Sequence, residues 1–193
     1  MKRLFIMVVI SVVFGASPYG WADECVEGNC YNGFGKMVYT PGYTYEGQFS
    51  EGRREGFARL TDIDGTEAVG IWAEDEIAEG MIKLPDGTRY LGQWQYRERN
   101  GDGILIQPDG TRYMGEFKSG RRHGWGITIY ADGRKYAGQF DKGQRTGWGT
   151  LTYPDGRRYT GEFQNGARTG QGTLTYPDGR IVSGRFVNGE LQK

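Results

Sequence analysis

The side chains that could act chemically are few and stand in unpromising patterns. His123 is the only histidine, and one histidine with two cysteines cannot supply a Ser-His-Asp set or a His-rich zinc site. Glu74, Asp75, Glu76 and Glu79 form an acidic cluster whose spacing matches no EF-hand or other cation loop. We therefore predict no catalytic residue, no metal site and no cofactor, and interpret His123 as a solvated loop histidine and the cluster as a solvated acidic loop.

Basic residues form a more regular pattern. One set immediately precedes a recurring aromatic position, and a second set recurs in the opposite loops. Stacked units would turn both sets into ladders which, with Trp125 and Trp148 nearby, could bind an anionic polymer, phospholipid headgroups or an acidic protein. The alternative is charge that keeps the rim of a sheet soluble. The candidate anion-binding residues are Arg89, Arg112, Lys135 and Arg158 in the first set and Arg121, Arg122, Arg145 and Arg168 in the second.

These positions follow a period of 23 residues. Each unit starts with an aromatic residue, has a glycine two positions later and a second aromatic two positions after that. A period of this length is typical of repeat proteins, which build extended surfaces and not pockets. The residues that we assign to the repeat framework are Tyr113, Gly115, Phe117, Tyr136, Gly138, Phe140, Tyr159, Gly161 and Phe163.

Side chains alternate with a period of two within each unit, which predicts β-strands. The sequence Pro-Asp-Gly recurs between these segments, and its proline and glycine favour a three-residue hairpin turn, so its aspartate is interpreted as a turn residue. Aromatic rings are expected to lie over glycines of the facing strand. The register predicted through the turn at Pro154 pairs Tyr153 with Tyr159, Leu151 with Gly161, and Gly149 with Phe163.

These residues resemble the MORN repeat (membrane occupation and recognition nexus) from about residue 28 to residue 189. The resemblance implies an all-β fold, namely an elongated single-layer twisted antiparallel sheet of stacked hairpins. It also implies a non-enzymatic chain, because members with a known reaction generally owe it to a separate domain. The repeat domain divides into a half unit at 28–44, units starting at 45, 68, 90, 113, 136 and 159, and a terminal half unit at 182–193. The unit at 68–89 is irregular, being one residue short and lacking the leading tyrosine.

The first residues have the pattern of a secretory signal peptide. Lys2 and Arg3 precede an apolar run from Leu4 to Phe14, and small residues end at Ala22. A membrane anchor is the alternative, but the run is shorter than the roughly 20 residues that a spanning helix needs. We expect a signal peptide at 1–22 and a mature repeat domain at 23–193, similar to the secreted or periplasmic bacterial members of the family.

Two cysteines, Cys25 and Cys30, follow the expected cleavage site. Exported chains meet an oxidising compartment, so we predict a disulfide between them. Its expected role is to hold the first hairpin.

Charge is distributed unevenly along the chain. Residues 23–110 contain 8 Lys and Arg against 17 Asp and Glu, a net charge of −9, whereas residues 111–193 contain 14 against 7, a net charge of +7. We predict an exported, non-catalytic scaffold that binds a protein partner or itself, aided by the open strand at 182–187. The first alternative is a peripheral binder of anionic lipid or envelope polymer through the basic C-terminal half. The second is an envelope enzyme acting on carbohydrate. Overall neutrality and export argue against a nucleic-acid partner.

Overall fold

The computed structural model describes residues 23–192, which form one open antiparallel sheet of 16 strands in chain order. The predicted all-β, single-layer fold is confirmed. Within these residues there is no helix long and apolar enough to cross a membrane, and the expected signal peptide lies outside them. The strands are β1 (Glu24–Gly28), β2 (Gly33–Val38), β3 (Thr44–Ser50), β4 (Arg53–Thr61), β5 (Glu67–Ala73), β6 (Glu76–Lys83), β7 (Arg89–Gln95), β8 (Glu98–Ile106), β9 (Arg112–Lys118), β10 (Arg121–Ile129), β11 (Lys135–Asp141), β12 (Gln144–Thr152), β13 (Arg158–Gln164), β14 (Ala167–Thr175), β15 (Ile181–Val187) and β16 (Glu190–Leu191).

Two kinds of turn alternate along the sheet. The short turns have two residues, as at Lys142 and Gly143, where φ is 48° and 89°. Positive φ at both positions is the type I′ geometry, whose twist matches that of the flanking strands. Four of the long turns carry the Pro-Asp-Gly sequence. In each of these the aspartate accepts a hydrogen bond two residues on, as between Asp155 Oδ1 and the Arg157 N–H at 3.0 Å. The aspartates therefore do serve as turn residues.

The predicted register through the long turn is wrong by two residues. Tyr153 and Arg157 close the turn through a hydrogen bond from the Tyr153 N–H to the Arg157 carbonyl at 2.9 Å. Each residue of β12 therefore pairs with a residue of β13 that lies two positions earlier in the chain than expected. The observed pairs are Leu151 with Tyr159, Gly149 with Gly161, and Gly147 with Phe163. Glycine thus faces glycine across the strands, and not an aromatic ring.

The ring that covers each glycine pair belongs to one of the two strands that carry the pair. A Cβ atom placed on Gly149 would meet Tyr136 Oη at 2.5 Å and Cε2 at 2.6 Å, although Gly149 needs no unusual φ. Gly138 pairs with Gly149, and the Tyr136 ring lies across that pair. The same arrangement recurs for Gly103 under Tyr90, Gly126 under Tyr113 and Gly172 under Tyr159. The expectation that rings shield glycine backbone is therefore correct, but the ring over Gly149 is that of Tyr136 and not that of Phe163.

The rings form a ladder on one side of the sheet, called here the ring face. Each leading tyrosine makes edge-to-face contacts with two rings, as Tyr136 does with Phe140 at 5.1 Å and Phe163 at 5.0 Å between centroids. Such contacts are worth about 1 kcal/mol each beyond the burial of apolar area. The leading tyrosines and the second aromatics of the regular units are buried, apart from the half-buried Trp94. The opposite side, called the open face, has no such cover.

The buried residues divide into two clusters. One runs from Tyr90 to Phe186 and the other from Cys30 to Ile82, with Trp94 packed against both. The division falls at the end of the irregular unit at 68–89.

The two ends of the sheet differ. At the first, Cys25 and Cys30 form the predicted disulfide, with their Cα atoms 5.9 Å apart. At the second, β16 pairs only with Phe186 and Val187, so the outer edge of β15 is open at its beginning. The expected open strand at 182–187 is thus partly covered.

Candidate functional site

Most of the second set of basic residues lies within the ring ladder. The guanidinium of Arg145 lies 5.5 Å from the Tyr136 ring centroid and 5.3 Å from that of Phe163. Arg122 and Arg168 occupy the same position between the rings of their own units. Arg54 and Arg99 do so as well, although sequence reasoning did not single them out. A cation over aromatic faces is stabilised by the ring quadrupole.

Three of these arginines also hold successive short turns together. Arg99 Nη2 donates to the carbonyl oxygen of Gly120 at 2.8 Å, and Arg145 and Arg168 make the equivalent bonds to Gly166 and Gly189. In return, the Gly166 N–H donates to the Arg145 carbonyl at 3.0 Å. Arg145 therefore links two repeats through its backbone and its side chain.

The leading tyrosines are neutral hydrogen-bond donors in this ladder. Tyr136 Oη donates to the Gln139 carbonyl at 3.0 Å, and each of the other four makes the same bond to the third residue after it. Burial is the main cause that raises the pKa of Tyr136 to about 12. The phenol is thus a structural group and not an acid or base at neutral pH.

The first set of basic residues lies on the open face. Arg89, Arg112, Lys135 and Arg158 are all exposed and alternate strands carry them, so neighbours are separated by about 10 Å. None of them makes an ion pair with another residue of the described chain. Arg121 is exposed at the start of β10. The structure thus keeps the first set and Arg121 accessible.

Most of the acidic cluster forms ion pairs with neighbouring arginines. Glu74 pairs with Arg53, Asp75 with Arg54 and Glu76 with Arg97. Arg54 is buried, so its bond to the Asp75 carboxylate joins the irregular unit to the unit before it. The sequence interpretation of a solvated acidic loop is incomplete in this respect.

His123 lies at the irregular part of β10, with its Nδ1 atom 3.4 Å from Asp141 Oδ1. Both side chains are partly exposed. Across residues 23–192 there is no group of His, Cys, Asp and Glu side chains arranged to hold a metal ion.

The open face carries an apolar row along the middle of seven successive strands, β5 to β11. Each member pairs directly with the next across the strands, and Leu91, Met114 and Ile127 are 51%, 57% and 49% exposed. The row ends in hydroxyl residues on β12 to β15 and in Lys36, Glu46 and Arg59 on β2 to β4. Its members, called here the middle row, are Val69, Met81, Leu91, Ile104, Met114, Ile127 and Ala137.

Charged residues of opposite sign flank the middle row. On the side of the long turns, the basic row covers β6 to β11 and contains Lys83, Arg89, Arg112 and Lys135, with Ile106 and Ile129 between them. On β5 the same line begins with Glu67, which forms an ion pair with Lys83. On the other side, the acidic row contains Glu79, Asp102 and Glu116, together with Gln93, Trp125 and Gln139. Each row lies two residues, or about 7 Å, from the middle row. Sequence reasoning found Arg89, Arg112 and Lys135 of the basic row, but it missed Lys83 and the other two rows, because only the observed register aligns them.

The irregular unit interrupts the ring ladder. Ala68 stands where other units have the leading tyrosine, and Ile77 stands where they have the ladder arginine. A cavity of about 110 Å³ lies there, lined by Ala68, Trp72, Ile77, Ile82 and Trp94. Its lining also contains the charged residues Asp62, Asp75, Arg97 and the buried Arg54.

The irregular unit is one residue short because its β-bulge has one residue instead of two. In a regular unit two residues form the bulge, as Gly147 and Trp148 do, and the glycine has a positive φ. In the irregular unit Ala78 alone is left between Ile77 and Glu79. The sequence signals were a missing glycine and a missing tyrosine, but they did not indicate a cavity.

Comparison with known proteins identifies the repeat. The MORN repeat family matches residues 45–67, 90–112, 113–133, 136–157 and 159–179, which is more than half of the chain. The chain therefore belongs to the MORN repeat family. The irregular unit lies outside the matched segments. No curated protein matches the chain.

Two solved structures have a similar fold. The TCP domain of SAS-4 (dCPAP) from Drosophila melanogaster, in complex with a proline-rich motif of Ana2, is 11% identical with a TM-score of 0.53. That comparison covers 91% of this chain and 99% of the domain. The G-box domain of the microcephaly protein CPAP is 19% identical with a TM-score of 0.50, over 86% of this chain and 100% of the domain. At these identities the likeness concerns the fold alone.

Replacing Arg145 by Ala should destabilise the sheet by about 2 kcal/mol, because a cation between two rings and a charged hydrogen bond are lost. Arg158→Ala is the matched control. It removes an exposed arginine of the first set and should change the free energy of unfolding by less than about 0.5 kcal/mol. Urea unfolding of the two variants measures the difference. Equal effects would contradict a structural role for Arg145.

Proposed function

We propose that this chain is an exported, non-catalytic scaffold that binds a protein partner on its open face. The observation that carries the proposal is the middle row, in which seven neighbouring strands each present an apolar side chain to solvent. A contiguous apolar surface with polar borders is typical of a protein-interaction site. Membership of a repeat family and the extended sheet support a binding role.

An amphipathic helix is the partner element that fits this surface. A peptide laid along the middle row crosses the strands at right angles, so it cannot join their hydrogen-bond ladders. An extended peptide would then cover its own backbone N–H and C=O groups without partners, which is costly. A helix satisfies these groups internally and is about 10 Å wide, enough to contact all three rows.

The dimensions and charges of the surface define the helix further. Six strand intervals span about 29 Å, which corresponds to about 19 helical residues. The helix should carry an apolar stripe toward the middle row. Its acidic flank would face Arg89, Arg112 and Lys135, and its basic flank would face Glu79, Asp102 and Glu116. Complementary flanks of this kind set orientation and specificity.

A second copy of this chain fits the open face less well. Two copies that face each other with parallel long axes bring the two acidic halves together. With antiparallel axes, the basic row of one copy opposes the basic row of the other. Both arrangements place like charges close together, which disfavours association. Self-association remains the alternative at the uncovered beginning of β15, where a strand could add to the edge.

Export is the proposed route to the partner. The predicted signal peptide at 1–22 supports it, and so does the Cys25–Cys30 disulfide, because such bonds persist in oxidising compartments. A periplasmic or secreted location follows from the proposal.

Binding of anionic lipid or envelope polymer is the second candidate function. It is favoured by one observation, the alignment of Arg89, Arg112, Lys135 and Arg158 on one face without ion pairs among the described residues. Four exposed cations in a line could contact a charged surface, each contributing about 1 kcal/mol near anionic lipid.

A photo-crosslinking amino acid at Met114 should capture the partner in cells that export the protein. We expect a crosslinked segment of another protein with the pattern of an amphipathic helix, identified by mass spectrometry. The matched control is the same amino acid at Ser183, which lies in the same line of the open face but outside the apolar row. Crosslinks at Met114 only to this chain or only to lipid would contradict the proposal.

Cosedimentation with vesicles tests the second candidate. Under that function, anionic vesicles bind and neutral vesicles do not, and changing Arg112, Lys135 and Arg158 together to Ala reduces binding at least about tenfold. The control triple change is Lys118, Arg121 and Lys142 to Ala, which removes the same charge near the short turns. Binding that survives the first triple change would rule out the basic row as the lipid contact.

A further inference from the structure

Two exposed tryptophans stand on the open face at the same position of neighbouring units. Trp125 on β10 and Trp148 on β12 are 58% and 54% exposed. Two strand intervals separate them, which places their backbones about 10 Å apart along a line that crosses the strands. Because this position accepts an aspartate or a glutamine elsewhere, the fold itself does not require an indole there. The equivalent residues of the other units are Phe34, Phe57, Glu79, Asp102 and Gln171.

The residue between the two indoles is bent toward the backbone. Gln139 pairs with Trp125 across the strands, and its Oε1 atom accepts a hydrogen bond from the Trp148 N–H at 3.2 Å. The same Oε1 atom lies against Gly147, in the β-bulge that carries Trp148. Gln139 therefore does not rise between the two rings. Within the described chain its amide nitrogen has no hydrogen-bond acceptor, so it is available to a ligand that lies across both rings.

Carboxylates beside the indoles decide the charge of a ligand. Glu116 Oε1 accepts a hydrogen bond from the Trp125 N–H at 2.8 Å, and Glu162 pairs directly with Trp148 across the strands. Neither carboxylate forms an ion pair with another of the described residues. Single-stranded nucleic acid also stacks on aromatic side chains, but it does so in basic grooves. Two negative charges beside the rings repel such a polyanion, so they favour a neutral ligand.

Hydroxyl groups border the second indole. Beyond β11 the line of the middle row continues as Thr150, Thr160, Thr173 and Ser183. The hydroxyl oxygens of Thr150 and Thr160 are 3.1 Å apart, and those of Thr173 and Ser183 are 2.9 Å apart. An apolar partner would remove these groups from water without replacing their hydrogen bonds, which is costly. This part of the open face therefore favours a ligand that is itself rich in hydroxyl groups.

We propose that Trp125 and Trp148 form a binding site for a neutral β-1,4-linked glycan that lies along the line of the two indoles. Each pyranose ring has a face of C–H groups, which packs on the negative face of an aromatic ring. Alternate sugars of a β-1,4-linked chain present the same face, and two sugar lengths are close to the distance between the two tryptophans. The Gln139 amide would donate to the sugar between them.

Titration with the β-1,4-linked hexamers of glucose and of N-acetylglucosamine tests the site, followed by the indole N–H signals in proton–nitrogen NMR spectra. We expect the Trp125 and Trp148 signals to shift together with at least one hexamer, with a dissociation constant of about 1 mM or tighter. The signals of Trp72 and Trp94, which belong to the ring face, should stay in place.

Two other sugars test the spacing. The β-1,4-linked disaccharide reaches only one ring, so it should bind at least about tenfold more weakly than the hexamer of the same sugar. The α-1,4-linked glucose hexamer has the same sugars in a coiled chain, which does not present one face at every second sugar. It should also bind at least about tenfold more weakly than a β-linked hexamer that binds.

The decisive variant is Trp148→Ala. It removes an exposed ring, so the protein stays folded, and the hexamer affinity read from the Trp125 signal should fall at least about tenfold. Phe57→Ala is the matched control, because it removes an exposed aromatic residue at the same position of another unit, on β4. It should leave the hexamer affinity at Trp125 and Trp148 unchanged.

Three results would overturn the site: an absence of shifts at both tryptophans with either hexamer, unchanged affinity in Trp148→Ala, and equal binding of the α-linked hexamer. The proposed protein partner is read separately, by crosslinking at Met114 on β9. Trp148 lies beyond the strands β5 to β11 that the partner helix would cover, so Trp148→Ala should leave that crosslink in place. Either proposal can therefore fail without the other.

Discussion

The contact of a tyrosine ring with a pair of bare glycines is the interaction on which this structure depends. A single-layer sheet has no second layer to bury its apolar surface, so each repeat must bury its rings against its own backbone. Gly138 and Gly149 allow the Tyr136 ring to lie flat across two strands. The ring then contacts Phe140 and Phe163, and these contacts join one repeat to the next.

This constraint divides the molecule into parts with different freedom. The side chains of the ring face, including the arginines between the rings, are needed to stabilise the fold. The side chains of the open face take no part in this packing, so they are free to match a binding partner. The middle row and its charged borders lie there. The one place where the ring face is released from the constraint is the irregular unit, where Ala68 leaves a cavity beside Trp72 and Trp94.

Much of the fold could be predicted from the sequence, because glycine, tyrosine and the Pro-Asp-Gly turns recur in phase. The strand register could not, since the closing pair Tyr153 and Arg157 depends on a hydrogen bond that sequence spacing does not reveal. That error hid the middle row. A sequence period shows which residues align but not which face of the sheet they occupy. The sequence therefore predicts a surface ladder at Arg122, Arg145 and Arg168, whereas the structure places them between the rings. The cavity also stayed hidden, because it results from side chains that are absent.

The stability of a Gly149→Ala variant tests the central claim most directly. Gly149 has no positive φ, so alanine is acceptable to its backbone, and the nearest obstacle to the added methyl group is the Tyr136 ring. The account predicts a loss of about 2 kcal/mol or more in urea unfolding, typical of overpacking a buried site. Gly149→Ala should cost less when it is made in a Tyr136→Leu background, because the ring that opposes the added methyl group is then absent. Unfolding of Gly149→Ala at the same urea concentration as the unaltered protein would contradict it.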